Sequence, residues 1–254
     1  MGAMTPKRQA AILNELGLCG SASIADLAGK LDVSEETVRR DLKLMSANGL
    51  VLRHHGGASL PDVMHEPAFQ QRLMANRAVK ERIAAKAAAM ISNGDTIFLD
   101  IGSTTALVAH ALKDHKDLQV ITNSAFIANI LISRNNNRVF MAGGELRDHD
   151  GGAFGLEAKT FLEKFNYHHA ILSAGAIDSR NGFTCHYLCE AELYAGVIER
   201  ADDVVICLDQ SKHGRRAPVN LCPMDQVDML VTDRTPPQEI VSAMTQAQLA
   251  LTVA

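Results

Sequence analysis

The stretch "LDIGSTT" (99–105) sets an aspartate, a glycine and three hydroxyl residues in a single short turn. Asp100 falls at the end of an apolar run of strand length, Gly102 in the turn, and Ser103, Thr104 and Thr105 where a helix begins. A helix start presents backbone N–H groups and a positive partial charge, and hydroxyls add donors, so the turn is suited to cradle an anion such as phosphate. The plainer alternative is a routine helix cap, because Ser and Thr are common there. No Gly-Lys-Ser/Thr closes the turn, so it is not a Walker loop and nucleotide hydrolysis is not implied.

Further polar groups follow other apolar runs. "VITNS" places Asn123 at a strand end, and "AGGELR" places Gly143 and Gly144 where backbone can approach a ligand closely, with Arg147 just beyond. A guanidinium there can offer a fork to phosphate or carboxylate. "SAGA" ends a strand in small residues that include Gly175, and "LDQSKHG" ends another with Asp209, Ser211 and Lys212. Lys212 can reach a pocket as a point charge. Arg147 and Lys212 have an alternative reading as solvated surface residues. Asp100, Glu190, Glu192 and Lys212 could also supply acid–base groups to an enzyme, but no carboxylate pair can be placed at a reacting carbon.

A second concentration of chemistry is "SEETVRRDLKLM" (34–45). At about 100° per residue, Val38, Leu42 and Met45 share one stripe, and Arg40 points away from it. Thr37, Arg40 and Lys43 then share the outward face, with Arg39 on the flank. Two other short helical patterns, "KRQAAILNEL" and "SIADLAGKL", precede it, the latter starting on Ser23 as a cap, as the third starts on Ser34. Helices this short must pack together to be stable. Helix, turn, and a second helix with donors near its start is the arrangement that lays a helix in the major groove, although the pattern alone fits an ordinary solvated face equally well. "LVLRHHGGAS" (50–59) then alternates and breaks at Gly56-Gly57 as a hairpin does. A hairpin in that place is a wing, and Arg53, His54 and His55 would meet phosphates or a minor groove; the two histidines read otherwise as a loop pair without a role.

The elements that must position the first set of residues come from the rest of the chain. "LPDVMHEPAFQQRLMAN" (60–76), with two prolines and no clean period, reads as a linker. Beyond it, helical patterns such as "VKERIAAKAAAMI" and "TTALVAHAL" alternate with near-continuous apolar runs, "DTIFLD", "LQVITN", "RVFMAGG", "HHAILSAGA", "DVVICLD" and finally "VDMLVTD". That alternation implies a parallel sheet covered on both faces, with ligands at the carboxyl ends of its strands.

Composition sets the bounds. The 254 residues are 47% hydrophobic and 21% charged, enough for a real core, and the net charge of −4 argues against a general polyanion binder. The first 60 residues carry seven Lys/Arg and six Asp/Glu, the remainder 18 and 23, so any nucleic-acid function rests on pattern and not on bulk charge. Five cysteines, an odd number, suggest no disulfide framework and a reducing compartment. Cys185, His186 and Cys189 lie close enough for metal ligands, but no second pair completes a set of four, and ordinary thiols are expected. With no signal-like segment and no run of 18 apolar residues, a cytoplasmic protein without a membrane partner is expected.

The stretch "SIADLAGKLDVSEETVRRDLKLMSANGLVLRHHGGA" resembles the winged helix-turn-helix of the DeoR family of bacterial sugar-metabolism regulators. The resemblance implies that Thr37, Arg39 and Arg40 contact DNA, that Ser34 helps place the helix, and that Asp41, beside two arginines, orients a neighbour. A P-x-F-x-x-R segment followed by Asn matches at Pro67, Phe69, Arg72 and Asn76. The second half resembles the family's sensor domain, itself similar to sugar-phosphate isomerases and deaminases, through D-x-G-[ST]-T within 100–105, [VI]-T-N at 121–123, G-G-x-x-R at 143–147 and D-x-S-K at 209–212. His213 stands where the family commonly has Phe, and Gln210 where it often has Ser or His, which alters the mouth of the pocket. Within the family, "LRHHGGASLP", "AGGELRDHDGGAFG" and "SKHGRRAPVN" look like the glycerol-3-phosphate repressor type.

The expectations are an α/β chain with a winged helix-turn-helix at 4–59, a linker at 60–76, and a doubly wound, mostly parallel sheet domain at 77–254. Its function would be regulation of transcription, most naturally repression of a carbohydrate or polyol operon. Its partners would be a double-stranded DNA operator, a phosphorylated sugar or polyol effector, and a second copy of itself in a homodimer or higher oligomer. The rival is a sugar-phosphate isomerase or deaminase with an accessory DNA module. No cofactor and no metal are expected.

Overall fold

Ser23 and Ser34 act as the expected helix starts. In the computed structural model, which describes residues 4–19, 21–48, 50–54, 56–59 and 69–254, Ser23 Oγ accepts from the Asp26 amide at 3.0 Å and Ser34 Oγ from the Thr37 amide at 3.3 Å. They open α2 (Ile24–Leu31) and α3 (Glu35–Ala47), which follow α1 (Met4–Cys19). Asp32, in the left-handed region at φ 52°, ends α2 and turns the chain into α3. Ile12, Leu16, Leu27, Val38, Leu42 and Met45 are fully buried between the three helices. Each such side chain contributes about 1.5–3 kcal/mol relative to exposure, which offsets the cost of ordering helices too short to stand alone.

The expected wing is β2 (Leu52–His54) paired antiparallel with β3 (Gly57–Ser59), and Gly56 takes the positive φ of 87° that the turn requires. The hairpin gains a strand that sequence did not announce, β1 (Ser21–Ser23), in the order β1-β3-β2. The three small residues Ser-Ala-Ser are too short a run to announce a strand, and their pairing with β3 joins positions far apart in the chain.

The chain divides at Glu66/Pro67 into two units. The second starts earlier than expected. Residues 60–68 lie outside the described residues, but 69–74 are not linker: they form α4 (Phe69–Met74), whose Phe69 and Leu73 are buried in the core of the second unit. Phe69 also meets the Phe126 ring edge-on at 5.3 Å. Two apolar residues four apart between prolines and polar residues make too faint a pattern to announce a helix of this length.

From there the strands and helices alternate: α5 (Arg77–Ala88), β4 (Thr96–Leu99), α6 (Ser103–Ala111), β5 (Gln119–Thr122), α7 (Ala125–Leu131), β6 (Arg138–Met141), α8 (Leu156–Leu162) and β7 (Tyr167–Leu172). A small antiparallel sheet then intervenes, built from β8 (Ala176–Asp178), β9 (Gly182–Cys185) and later β11 (Val219–Cys222). Between them lie α9 (Leu188–Ile198) and β10 (Ala201–Cys207), and the chain ends with β12 (Met229–Thr232), α10 (Gln238–Gln246) and β13 (Ala250–Val253). The small sheet and the last helix–strand pair were not foreseen; their strands are three or four residues long.

The main sheet has seven strands in the order β13-β12-β10-β7-β4-β5-β6, all parallel. Side chains alternate between two cores. Ile97, Leu99, Ile171, Val205 and Val231 pack under α4 to α7, and Phe98, Ala170, Leu172, Ile206 and Leu230 under α8 to α10. Burial on both faces explains the unbroken apolar runs. The order reverses between β4 and β7, the place where open α/β sheets take their ligands.

Candidate functional site

Asp100 leaves β4 at this switch point and is 2% exposed. Its Oδ1 accepts from the Gly102 amide at 2.9 Å and the Thr105 hydroxyl, and its Oδ2 from the amide and hydroxyl of Ser173, each at 2.8 Å. Burial pushes the carboxyl up from its usual range, and these hydrogen bonds oppose the shift. Asp100 thus ties the loop after β4 to the loop after β7 and shapes the turn from within.

Gly102 is the N-cap of α6, and no side chain caps this helix, whereas α2, α3 and α7 each start on a capping serine. Glycine is required by space, not by φ: a Cβ here would stand 2.1 Å from Ser173 Oγ and 2.6 Å from Ser173 Cβ. Ser103 and Thr104 follow, each 5% exposed, while the fully buried Thr105 turns its hydroxyl back to Asp100. The result is a helix start without a side-chain cap, the kind of terminus that suits an anion.

Lys80 adds a positive charge. It is 5% exposed, and its Nζ donates to Ser103 Oγ at 3.0 Å and to the Arg72 carbonyl at 2.6 Å. Sequence reasoning passed over Lys80. The signal was there, because with Ile83, Ala84 and Ala87 it completes an apolar stripe at i, i+3, i+4 and i+7, where a lysine is out of place.

The other strand ends differ in what they bring. Asn123, fully buried, donates to the Ala153 carbonyl at 3.3 Å, and among the described residues its Oδ1 has no partner at hydrogen-bond geometry. It faces Tyr194 on α9, another residue sequence did not single out, whose phenol is pushed up by burial first and then by Asp100 and Glu190. Asp209 caps the short turn Gln210–Lys212, accepting from the Ser211 amide at 2.9 Å, and the half-buried Lys212 stands at the same rim. Gly175 lies against His186, Thr184 and Ala217, where a Cβ would come within 3.1–3.2 Å of each. Gly143 and Gly144 lie past β6, the edge strand, two strands from β4 and therefore roughly 10 Å away. They line an open hollow with Leu156 and Thr160 of α8 and with Lys164 just beyond its end.

Arg147 is committed inside the protein. Its guanidinium pairs with Asp150 and with Glu190 (2.8 Å) and lies between the rings of Phe154 and Tyr187, 4.2 and 4.4 Å from their centroids. Burial alone would lower its pKa, but the two carboxylates raise it instead. The fork expected for a ligand is used to lock the 143–155 loop onto α9.

On α3, Val38, Leu42 and Met45 are inward, as the wheel requires, and Arg40 and Lys43 are exposed. Thr37 Oγ1 and Ser34 Oγ are 2.9 Å apart. Arg39 pairs along its own helix with Glu35 at 2.9 Å and Glu36 at 3.8 Å. Asp41 is buried and does orient an arginine, but that arginine is Arg8 of α1, not a neighbour on α3. Arg53 is exposed on β2. His54 is described only as backbone in that strand, and His55 lies outside the described residues.

Cys185 and Cys222 are buried thiols pushed up to about 12 by burial, and among the described residues no group of three His, Cys, Asp or Glu side chains is arranged to hold a metal. Among the same residues no helix is long and apolar enough to cross a membrane.

Comparison with known proteins gives the context. Residues 8–63 match the model of the DeoR-like helix-turn-helix domain and residues 75–234 that of the DeoR C terminal sensor domain. The glycerol-3-phosphate regulon repressor of Escherichia coli K12 is 38% identical over 232 residues, 91% of this chain and 92% of that protein. The HTH-type transcriptional repressor CsqR of the same organism is 36% identical over 91% of this chain and 89% of its own. Among solved structures, ribose 5-phosphate isomerase A of Methanocaldococcus jannaschii aligns with a TM-score of 0.39 at 16% identity, over 54% of this chain and 55% of that one, a likeness too slight to add to the topology. With both of its units matched and relatives aligned over nine-tenths of its length, the chain belongs to the DeoR family of transcriptional regulators.

Proposed function

We propose that this chain is a transcriptional repressor whose grip on its operator is set by a phosphorylated sugar or polyol bound at the start of α6. The observation that carries the reading is the uncapped, glycine-started helix at the sheet's switch point, with the buried Lys80 ammonium against its first side chain. Phosphate would take the N–H groups of Ser103, Thr104 and Thr105, the hydroxyls of Ser103 and Thr104, and the charge of Lys80. Lys212 would close on it from the neighbouring rim, and Asn123 Oδ1 would accept from a hydroxyl of the carbon skeleton. Asp100, Gly102, Gly175, Gly143, Gly144 and Arg147 would shape the walls without touching phosphate.

On the DNA side, Arg40 and Lys43 would face the major groove beside Thr37, while Arg39, Ser34, Arg53 and the wing residues His54 and His55 would hold the backbone. Two copies would set two α3 helices about one DNA turn apart, and the effector would favour an arrangement that changes this spacing. The names of the relatives point to glycerol 3-phosphate as the first compound to try. A cytoplasmic setting fits such a regulator.

The enzyme reading is weaker because its two buried carboxylates are already engaged. Asp100 accepts from Gly102, Thr105 and Ser173, and Glu190 is paired with Arg147, so neither is placed to take a proton from a substrate. A thermal-shift screen with glycerol 3-phosphate and a set of hexose phosphates tests the proposal. A compound at 100 times its Kd stabilises by about 2.7 kcal/mol, which moves Tm by several degrees. If no phosphorylated compound raises Tm, the sensing half of the proposal fails.

A further inference from the structure

Two side chains on one short stretch reach from the entrance of the second unit to the rim of the candidate effector site. The first is Lys80, whose ammonium bridges Ser103 Oγ, on the first residue of α6, and the Arg72 carbonyl, in the last turn of α4. The carbonyls of a helix's last turn have no partner within the helix, and a lysine is one of the groups that can satisfy them. In a six-residue helix that contact matters, since so short a helix has little stability of its own.

The second is Asn76, at the elbow between α4 and α5. Its backbone is left-handed at φ 53°, and its amide does not cap α5; Nδ2 donates instead to Asp209 Oδ1 at 3.2 Å. That same oxygen accepts from the Ser211 amide and so holds the turn that carries Lys212. The elbow is therefore joined by hydrogen bonds to both rims proposed for the phosphate, at β4 and at β10. In the sequence, α4 is the first described element after the DNA-binding unit.

We infer that the α4–α5 elbow is the relay between effector and operator, with Lys80 and Asn76 as its two contacts. This rests on the reading that phosphate binds at the start of α6. A phosphate dianion there competes with the neutral Arg72 carbonyl for the Lys80 ammonium, and charge-assisted bonds to an anion are the stronger ones. A shift of Lys80 loosens the cap on α4, while closure of the 210–212 turn pulls Asn76 through Asp209. Both changes reach the element that continues into the connection to the DNA-binding unit. Lys80 is a binding and relay residue, and Asn76 a positioning residue only.

The test uses the full-length protein, a duplex selected by the wild-type protein from a random pool, and glycerol 3-phosphate, fructose 6-phosphate and glucosamine 6-phosphate as probes. In the wild type, the tightest of these should change amide exchange across 69–76 and shift the operator Kd by about five-fold or more. Asn76→Gly keeps the left-handed elbow and removes the amide. It should bind the same probe within about two-fold of wild type, yet lose the exchange change and shift the operator Kd by less than about two-fold. Lys80→Met should lose probe binding as well as the shift. An Asn76→Gly variant that responds like wild type overturns the relay while leaving the site intact. If none of the three probes binds the wild type, the site falls and takes the relay with it.

Discussion

Arg147 shows how a single side chain changes meaning once its neighbours are known. Beyond a diglycine at a strand end it reads as a fork for a ligand; in the fold it is held by Asp150 and Glu190 and stacked between Phe154 and Tyr187. The Asp150 side chain is fully buried, that of Glu190 11% exposed and that of Arg147 15%. Removing the guanidinium would strand two carboxylates in the interior. Arg147→Met should therefore cost about 3–5 kcal/mol of stability in chemical denaturation. Were Arg147 an effector ligand instead, the variant would unfold as wild type does and lose only effector affinity. Local pattern could not reveal this, because Glu190 lies on α9, 43 residues from the loop that carries Arg147. Lys80 is the opposite case: its misfit on an apolar stripe was legible in the sequence, while its contact with Ser103 was not.

Among the elements, α3 was the most legible. Its cap, its buried stripe and its outward face follow from composition and a period of 3.6, and the structure places Val38, Leu42 and Met45 inward as that period requires. Among the unforeseen elements, β1, α4 and β11 are short and held by distant partners, such as Ser21–Ser23 by Gly57–Ser59. The division of labour on α3 is testable. Arg40 is exposed on the outward face, so Arg40→Ala should cost about 1–3 kcal/mol on the preferred duplex and relax preference at one base pair. Arg39 sits on the flank and already pairs with Glu35. Arg39→Ala should weaken every duplex alike and lower the salt slope by about 1, which fluorescence anisotropy across salt concentrations would read. Equal losses on all sequences for both variants would contradict the assignment.

At the scale of the whole molecule, the strand order β13-β12-β10-β7-β4-β5-β6 puts the loops after β4 and β7 side by side, and Asp100 joins them. The alternation of helix and apolar run announced the parallel sheet, but not its order, which depends on which crossovers go left and which right. In a regulator of this kind, the switch point and the winged helix-turn-helix are expected to influence one another. Linkage requires the influence to be mutual: whatever factor the effector imposes on operator affinity, the operator imposes on effector affinity. The most direct measurement is a pair of titrations, operator Kd with and without saturating phosphorylated effector, and effector Kd with and without saturating operator. The same factor is expected in both directions, within about 5–150-fold. Operator affinity that is unchanged at saturation by every compound that binds would contradict it.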